Sequence, residues 1–221
     1  MNLLIEPSRE KFEEFLSRQF DFVALPLAEV RQEVEAVYPL LAKQFARIRN
    51  KYFRGGRGPV LRLGHSAQYM MFLYALSRRL AEAGRRLEAD KIYLLLRTVS
   101  GADIYYEVAL PLLWFSDHPL GSVIGRGKFA PDSSLVFSQN SNIGNNNGVY
   151  PEISGNLYMY GNTTLLGRTR ILGNVVLANG ACVIDSGDLK DCFVFGRSPD
   201  LMVKPLSQVR FDEITPFIAG A

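Results

Sequence analysis

The chain has 221 residues, of which 48% are hydrophobic and 21% charged, and its formal net charge at pH 7 is +3. This length suffices for one large domain or two modest ones, and the nearly balanced charge does not indicate a nucleic acid partner. The most apolar stretch, 108–115, is too short to span a membrane. Charged residues follow Met1 to Ile5 at once, so no signal peptide is expected. Two cysteines, Cys182 and Cys192, do not indicate a disulfide framework, and we expect a cytoplasmic protein.

Up to about residue 115 the sequence predicts helices, because apolar residues recur mostly at intervals of three and four. The aromatic residues Tyr69, Phe72 and Tyr74 of the third segment are expected in a core or a subunit contact, and Ser66 is expected to cap it. The predicted helices are 11–20, 27–53 with a kink or break at Pro39, 66–82, 89–99 and a short one over 102–110.

The second half contains a six-residue repeat. Six apolar residues lie six positions apart, and a glycine follows each of the first four by two positions. A helix with 3.6 residues per turn or a strand with a side-chain period of two does not require this spacing. A solenoid of short strands does, because each apolar residue points inward and each glycine forms a corner. The six residues are Ile153, Met159, Leu165, Ile171, Leu177 and Val183, and they predict a hexapeptide-repeat parallel β-helix of about four turns.

One segment, 145–151, interrupts the six-residue step. Loops between the coils of a solenoid are frequent positions for functional residues, because the coils themselves are occupied by packing. The alternative is a mere extension of a corner. Both interpretations remain open at the level of the sequence.

Four stretches resemble the serine acetyltransferase group of hexapeptide acyltransferases. They are Asp117-His118-Pro119 with 122–127, Tyr150-Pro151-Glu152-Ile153, 161–174, and 195–199 with Val203-Lys204-Pro205. The resemblance covers 117–205, whereas the helical half is similar in type only. It implies an α+β protein with an α-helical domain over 1–115, a left-handed parallel β-helix over 116–205 and a C-terminal tail over 206–221.

The resemblance also implies a trimeric or hexameric enzyme that uses acetyl-CoA as co-substrate and no metal. In such enzymes the pantetheine arm lies in a groove between neighbouring β-helices, next to small residues. Carried over by register, those positions are Gly161 and Asn179, and Lys204 is the cationic candidate near the nucleotide phosphates. A general base, typically a histidine, deprotonates the acceptor.

The sequence departs from the family at the histidines. Tyr150 stands where the family has the histidine of its H-P-x-I motif, and Pro131-Asp132-Ser133 stands where it has an Asp-His pair. The chain has two histidines, His65 and His118. His118 is the first candidate base, with Asp117 to orient it, and His65 is the second. The groups in reserve are Asp132, Tyr150 and Glu152. The loss of both motif histidines favours a sugar hydroxyl or amine over serine as the acceptor.

Two other classes of protein are weighed against this enzyme. A catalytically silent β-helix that acts as a scaffold or regulatory subunit would also lack the motif histidines. A metal-dependent β-helix enzyme of the carbonic anhydrase kind needs three imidazoles at a subunit interface, more than two histidines per chain readily supply. The family binds the next enzyme of cysteine synthesis through a C-terminal Ile. This chain ends in Ile218-Ala219-Gly220-Ala221, so we expect that partnership to be absent.

Overall fold

The computed structural model describes residues 2–217, and the chain forms two compact units. The helical unit extends to Gly101 and includes Tyr105–Glu107, and the β-helix unit comprises Ala102–Ile104 and the chain from Val108 onward. The α+β class is therefore confirmed, but the expected boundary after residue 115 falls inside a strand of the β-helix unit, Leu113–Ser116. The first coil begins before the regular six-residue repeat, because β-strands can pair even where the sequence does not follow that repeat. The four residues 218–221, on which the expectation about the next enzyme of cysteine synthesis rests, lie outside the described part.

The helical unit contains four α-helices and a small three-stranded sheet. Two expectations are wrong here. The second helix continues through Pro39 without a break and ends at Ala46 instead of residue 53, and 102–110 is not helical, because Asp103–Ile104 pairs with a later strand. The helices are α1 (Arg9–Phe22), α2 (Arg31–Ala46), α3 (Ser66–Glu82) and α4 (Arg86–Ser100), with 3-10 turns at Leu27–Val30 and Lys51–Phe53, and the strands are β1 (Leu4–Glu6), β2 (Arg54–Gly55) and β3 (Gly58–Arg62), in the order β1-β3-β2.

Aromatic side chains form much of the core of the helical unit. Tyr69, Phe72 and Tyr74 are at most 6% exposed, so the expectation of a buried stripe is confirmed. Phe12 of α1 meets Phe72 edge to face, with 5.4 Å between ring centroids. Such pairs contribute about 0.5–1.5 kcal/mol beyond the burial of their area.

The β-helix unit is a three-faced prism of about five turns, and its strands pair in parallel with their equivalents in the next coil. Face 1 consists of β5 (Leu113–Ser116), β8 (Ser134–Phe137), β11 (Asn156–Met159), β14 (Asn174–Leu177) and β17 (Cys192–Arg197). Face 2 consists of β4 (Asp103–Ile104), β6 (Val123–Ile124), β9 (Asn142–Gly144), β12 (Thr164–Leu166) and β15 (Cys182–Ile184), and face 3 of β7 (Lys128–Phe129), β10 (Glu152–Ile153), β13 (Thr169–Ile171) and β16 (Gly187–Leu189).

The interior of the prism confirms the inward direction of the hexad positions. All six apolar residues of the repeat are 0% exposed. Burial of one such side chain stabilises the fold by about 1.5–3 kcal/mol. Trp114 stacks on Phe137 with 6.1 Å between ring centroids, so aromatic packing extends the interior into the first coil, where the repeat is irregular.

The coils differ in length, and this decides which residues become neighbours. Asn156 pairs with Asn174, 18 residues on, as three hexads require. Ser134 pairs with Asn156, 22 residues on. The additional residues of the second coil lie between β9 and β10, at 145–151.

The segment from Asp200 onward covers the last coil and one outer face. Strand β18 (Asp200–Pro205) pairs antiparallel with β17, and helix α5 (Gln208–Ile214) follows it. Phe211 of α5 packs with Leu206 against Val176 on the outer surface of face 1. Among the described residues, no helix has the length and apolar character needed to cross a membrane.

Candidate functional site

The turns that join face 1 to face 2 stack into the first edge of the prism. Backbone hydrogen bonds link each turn to the next. Asn140 N donates to Leu120 O at 3.0 Å, Asn162 N to Gln139 O at 2.9 Å, and Gly180 N to Gly161 O at 3.1 Å. This edge therefore carries the turns 117–122, 138–141, 160–163 and 178–181 as one continuous column.

Asp117 and His118 lie on the first of these turns, directly after β5, and both are exposed. The negative charge of Asp117 affects Tyr158 on the outer surface of face 1. Burial raises the pKa of Tyr158 to about 12, and the charges of Tyr160 and Asp117 contribute to this rise. The Asp117 carboxylate therefore acts on a pair of tyrosines whose rings are 4.8 Å apart.

Gly161 lies between two amide side chains on the same edge. A Cβ at this position would lie 2.6 Å from Gln139 Nε2 and 3.2 Å from Asn179 Nδ2. Glycine therefore leaves room on the third coil for the amides of the second and fourth coils. The resulting strip is neutral and polar.

Lys204 lies on β18, opposite Phe193 of face 1, and its ammonium points toward the far end of this edge. The edge continues into the last coil through Val194, whose carbonyl accepts from Ala178 N at 2.9 Å. The next residue is Phe195, and the ammonium of Lys204 lies 5.5 Å from its ring centroid. Such a cation is attracted to the face of the ring, which holds Lys204 at the last coil.

The structure thus places three sequence candidates of the β-helix on one edge, with the ammonium of Lys204 beside its last coil. His118 belongs to the first coil, Gly161 to the third, Asn179 to the fourth, and Lys204 contacts the fifth. With coils about 4.8 Å apart, the edge spans about 19 Å from the first coil to the fifth.

His65 belongs to the helical unit and has a structural role there. Its side chain is the N-cap of α3, with Nδ1 accepting from Gln68 N at 3.4 Å. Its ring also packs against Phe53, with 5.4 Å between centroids. The expectation that Ser66 caps this helix is wrong by one residue, because Ser66 is itself the first helical residue.

The turns from face 2 to face 3 form the second edge, which carries the inserted segment. This segment is a small hairpin, in which Asn146 and Val149 exchange backbone hydrogen bonds of 2.9 and 3.0 Å. Asn147 and Gly148 between them have φ angles of 49° and 78°. Two consecutive positive φ angles are the signature of a type I′ turn, which favours Asn-Gly. The insertion therefore has a defined structure, which we call the 145–149 hairpin.

Asp185 connects the 145–149 hairpin to two later coils. Its Oδ1 accepts from Arg168 N at 2.6 Å, and its Oδ2 accepts from Asn146 Nδ2 at 2.5 Å. These bonds hold the pKa of Asp185 below its ordinary range, with the bond from the Arg168 amide as the largest cause.

The groups held in reserve are spread around the third face. Tyr150 directly follows the hairpin and is half-buried. Glu152 is ion-paired with Lys128 at 2.6 Å, which lowers the pKa of Glu152. Asp132 is exposed on the turn before β8. Among residues 2–217, no group of three His, Cys, Asp or Glu side chains is close enough to hold a metal ion.

Sequence reasoning missed two participants, Gln139 and Asp185. Gln139 adjoins Gly161 at a spacing of 22 residues instead of 18, because the hairpin lengthens its coil, so register alone does not reveal it. Asp185 meets Asn146 across 39 residues. The available signal was an aspartate at a corner position of the repeat.

Solved structures of serine acetyltransferases have the same fold. The enzyme from Neisseria gonorrhoeae is 21% identical, with a TM-score of 0.56 over 68% of this chain and 59% of that chain. Its complex with serine, also 21% identical, gives a TM-score of 0.59 over 80% and 73%. The Brucella abortus strain S19 enzyme in complex with coenzyme A is 15% identical, with a TM-score of 0.64 over 91% of this chain and 84% of that chain.

At these identities the likeness shows the fold, a helical region followed by a left-handed β-helix. In the first of these comparisons, the chain spans 59% of the gonococcal enzyme's own length. No protein-family profile matches the sequence, and no curated protein does.

Proposed function

We propose that the chain is an acyltransferase that transfers an acyl group, most simply acetyl, from coenzyme A to a small hydroxyl or amine acceptor. The observation that carries this proposal is the first edge, where His118, the Gly161 strip and Lys204 follow one another. Its neutral centre suits the pantetheine arm, and its cationic end suits the nucleotide phosphates. Similar folds have been solved with coenzyme A and with serine, which supports the same substrate class here.

The proposed reaction is a direct transfer. The imidazole of His118 accepts the proton of the acceptor hydroxyl or amine, and Asp117 orients that imidazole. The acceptor oxygen or nitrogen forms a bond to the thioester carbonyl carbon, and the carbon–sulfur bond breaks. The sulfur takes the proton back from His118, so the products are the acylated acceptor and free coenzyme A.

We place the acceptor, a sugar hydroxyl or amine, in a groove between two copies of the chain. A cyclic trimer has heterologous interfaces, so two different surfaces of the chain meet at each contact. In this arrangement the first edge of one copy faces the 145–149 hairpin of the next. The assembly is a homotrimer or a pair of homotrimers, and the protein acts in the cytoplasm.

Acetyl-CoA binding, measured by calorimetry on protein of known oligomeric size, is the first test. Wild type is expected to bind saturably. His118→Ala is expected to bind equally well but to lose about 10²- to 10⁴-fold in kcat, the usual contribution of a general base. His65→Ala is the matched control and is expected to retain kcat. If His118→Ala keeps wild-type turnover, His118 is not the base.

Mixed trimers test the shared groove. His118→Ala is co-expressed with a variant that lacks residues 145–148, and both chains carry separate tags. If each site combines His118 of one copy with the hairpin of the next, about a quarter of the sites in a random mixture are intact. If both elements serve one site in the same chain, the mixture stays inactive.

The runner-up is a catalytically silent scaffold. The observation in its favour is the second edge, where Tyr150 occupies the place of the family's motif histidine. A well-folded oligomer that binds no acetyl-CoA would favour the scaffold over the enzyme.

A further inference from the structure

The 145–149 hairpin is small and needs an attachment to the prism. Its internal bonds are the Asn146–Val149 backbone pair and the bond from Gly148 N to Asn145 Oδ1 at 3.2 Å. These bonds define the shape of the hairpin, but an isolated two-stranded hairpin is only marginally stable, so they neither keep it closed nor set its direction. Direction comes from the bond between Asn146 and Asp185, two coils further along the second edge.

Asp185 is suited to this attachment because its carboxylate has two oxygens and uses each for a different coil. Oδ1 fixes the corner of the third coil through Arg168 N, and Oδ2 fixes the hairpin of the second coil through Asn146. Its backbone has a φ of 50°, a left-handed conformation that Asp tolerates better than most residues. The main chain at this corner therefore directs the side chain along the edge.

The space for this carboxylate is provided by Gly167. A Cβ at Gly167 would overlap Asp185 Oδ1 and would lie 2.8 Å from Asn146 Cβ. Hairpin, corner and carboxylate therefore form one close-packed unit.

We infer that Asp185 is a positioning residue that directs the 145–149 hairpin, and with it Tyr150, toward the acceptor. The inference rests on the proposed function, which places the hairpin beside the acceptor. Asp185 does not touch the reacting atoms. It acts on acceptor affinity and leaves the coenzyme A strip on the first edge unchanged.

The test compares Asp185→Ala with Asp188→Ala in the full-length oligomer. Asp188 lies on face 3 of the same coil, where both its oxygens bind Arg170 at 2.6 Å, and so controls for the loss of a hydrogen-bonded carboxylate. Asp185→Ala is expected to speed hydrogen exchange at the amides of Asn146 and Val149 by about tenfold. It is also expected to raise the KM for the acceptor by about tenfold, with the Kd for acetyl-CoA unchanged. Asp188→Ala is expected to change neither quantity.

An exchange of the two side chains separates positioning from general damage. Asn146→Asp alone places two carboxylates together, which repel each other and release the hairpin. Asn146→Asp combined with Asp185→Asn restores an amide–carboxylate bond and keeps an oxygen for Arg168 N. The double variant is therefore expected to recover both hairpin protection and acceptor KM.

The outcomes are distinguishable. Wild-type exchange in Asp185→Ala overturns the attachment. Faster exchange with an unchanged acceptor KM overturns the role toward the acceptor. If wild type neither binds acetyl-CoA nor transfers an acyl group, the proposed function and the role toward the acceptor fail together. The exchange data then still decide whether Asp185 holds the hairpin.

Discussion

At the scale of single residues, Gly167 and Gly187 have nearly the same backbone but different surroundings. Their φ angles are 72° and 69°. A Cβ at Gly187 would meet nothing within 4 Å, whereas one at Gly167 would overlap the carboxylate of Asp185. Alanine substitutions at these two glycines therefore distinguish the stability lost through left-handed backbone from the stability lost through a steric clash.

We predict that Gly187→Ala lowers the free energy of unfolding by about 1–2 kcal/mol, the usual cost of a left-handed residue with a Cβ. Gly167→Ala is expected to cost more, because the added methyl group also displaces Asp185. Denaturant unfolding measures the two losses, and hydrogen exchange at Val149 reports whether the hairpin is released. If both variants lose the same free energy of unfolding, the carboxylate of Asp185 moves aside without a measurable loss of stability.

At the scale of elements, local sequence patterns predicted the structure correctly where the segment does not pair with a distant strand. Helix α3 begins and ends at the expected residues, and its apolar face is buried as predicted. The segment 102–110 also has an apolar pattern, yet Asp103–Ile104 pairs with Val123–Ile124. The structure of 102–110 is determined by strand pairing with residues 20 positions further along the chain. A local helical pattern gives no information about such a distant partner.

The N-terminus of α3 supplies a prediction about His65. His65→Ala removes the side chain that caps this helix, so the free energy of unfolding is expected to fall by at most about 1 kcal/mol. Acetyl-CoA affinity should stay unchanged, because the strip that we propose to bind coenzyme A lies in the β-helix unit. Thermal unfolding and calorimetry check the two parts, and a loss of acetyl-CoA binding would contradict the structural role.

At the scale of the whole molecule, the two sides of the prism wall contribute very differently. In the interior, the six hexad positions are all apolar and 0% exposed. The outer surface of face 3 carries a column of alternating charges, Lys128, Glu152, Arg170 and Asp188, with ion pairs between Lys128 and Glu152 and between Arg170 and Asp188. Exposed ion pairs are screened by solvent and add little stability. The fold therefore depends on its interior.

Leu165 is a direct test of this contrast. Leu165 is 0% exposed at the centre of the prism, so Leu165→Ala is expected to cost about 2–5 kcal/mol through lost burial and a cavity. Asp188→Ala on face 3 should leave the unfolding midpoint almost unchanged. Denaturant titration of both variants provides the comparison. A larger loss from Asp188→Ala would mean that face 3 has a structural role beyond its exposed ion pairs.

The sequence alone determined the β-helix, because the six-residue repeat specifies an inward apolar residue and a corner for each face of a coil. The sequence also showed that both motif histidines are missing and that few residues could serve as the base. Tertiary structure decided which residues of different coils meet: Gln139 with Gly161, and Asp185 with Asn146. Those contacts depend on the length and shape of an insertion, and its extra residues shift the register of every corner before it relative to every corner after it. A repeat read along the chain locates the insertion but does not show which side chains then meet, because those contacts join coils that are far apart in the sequence.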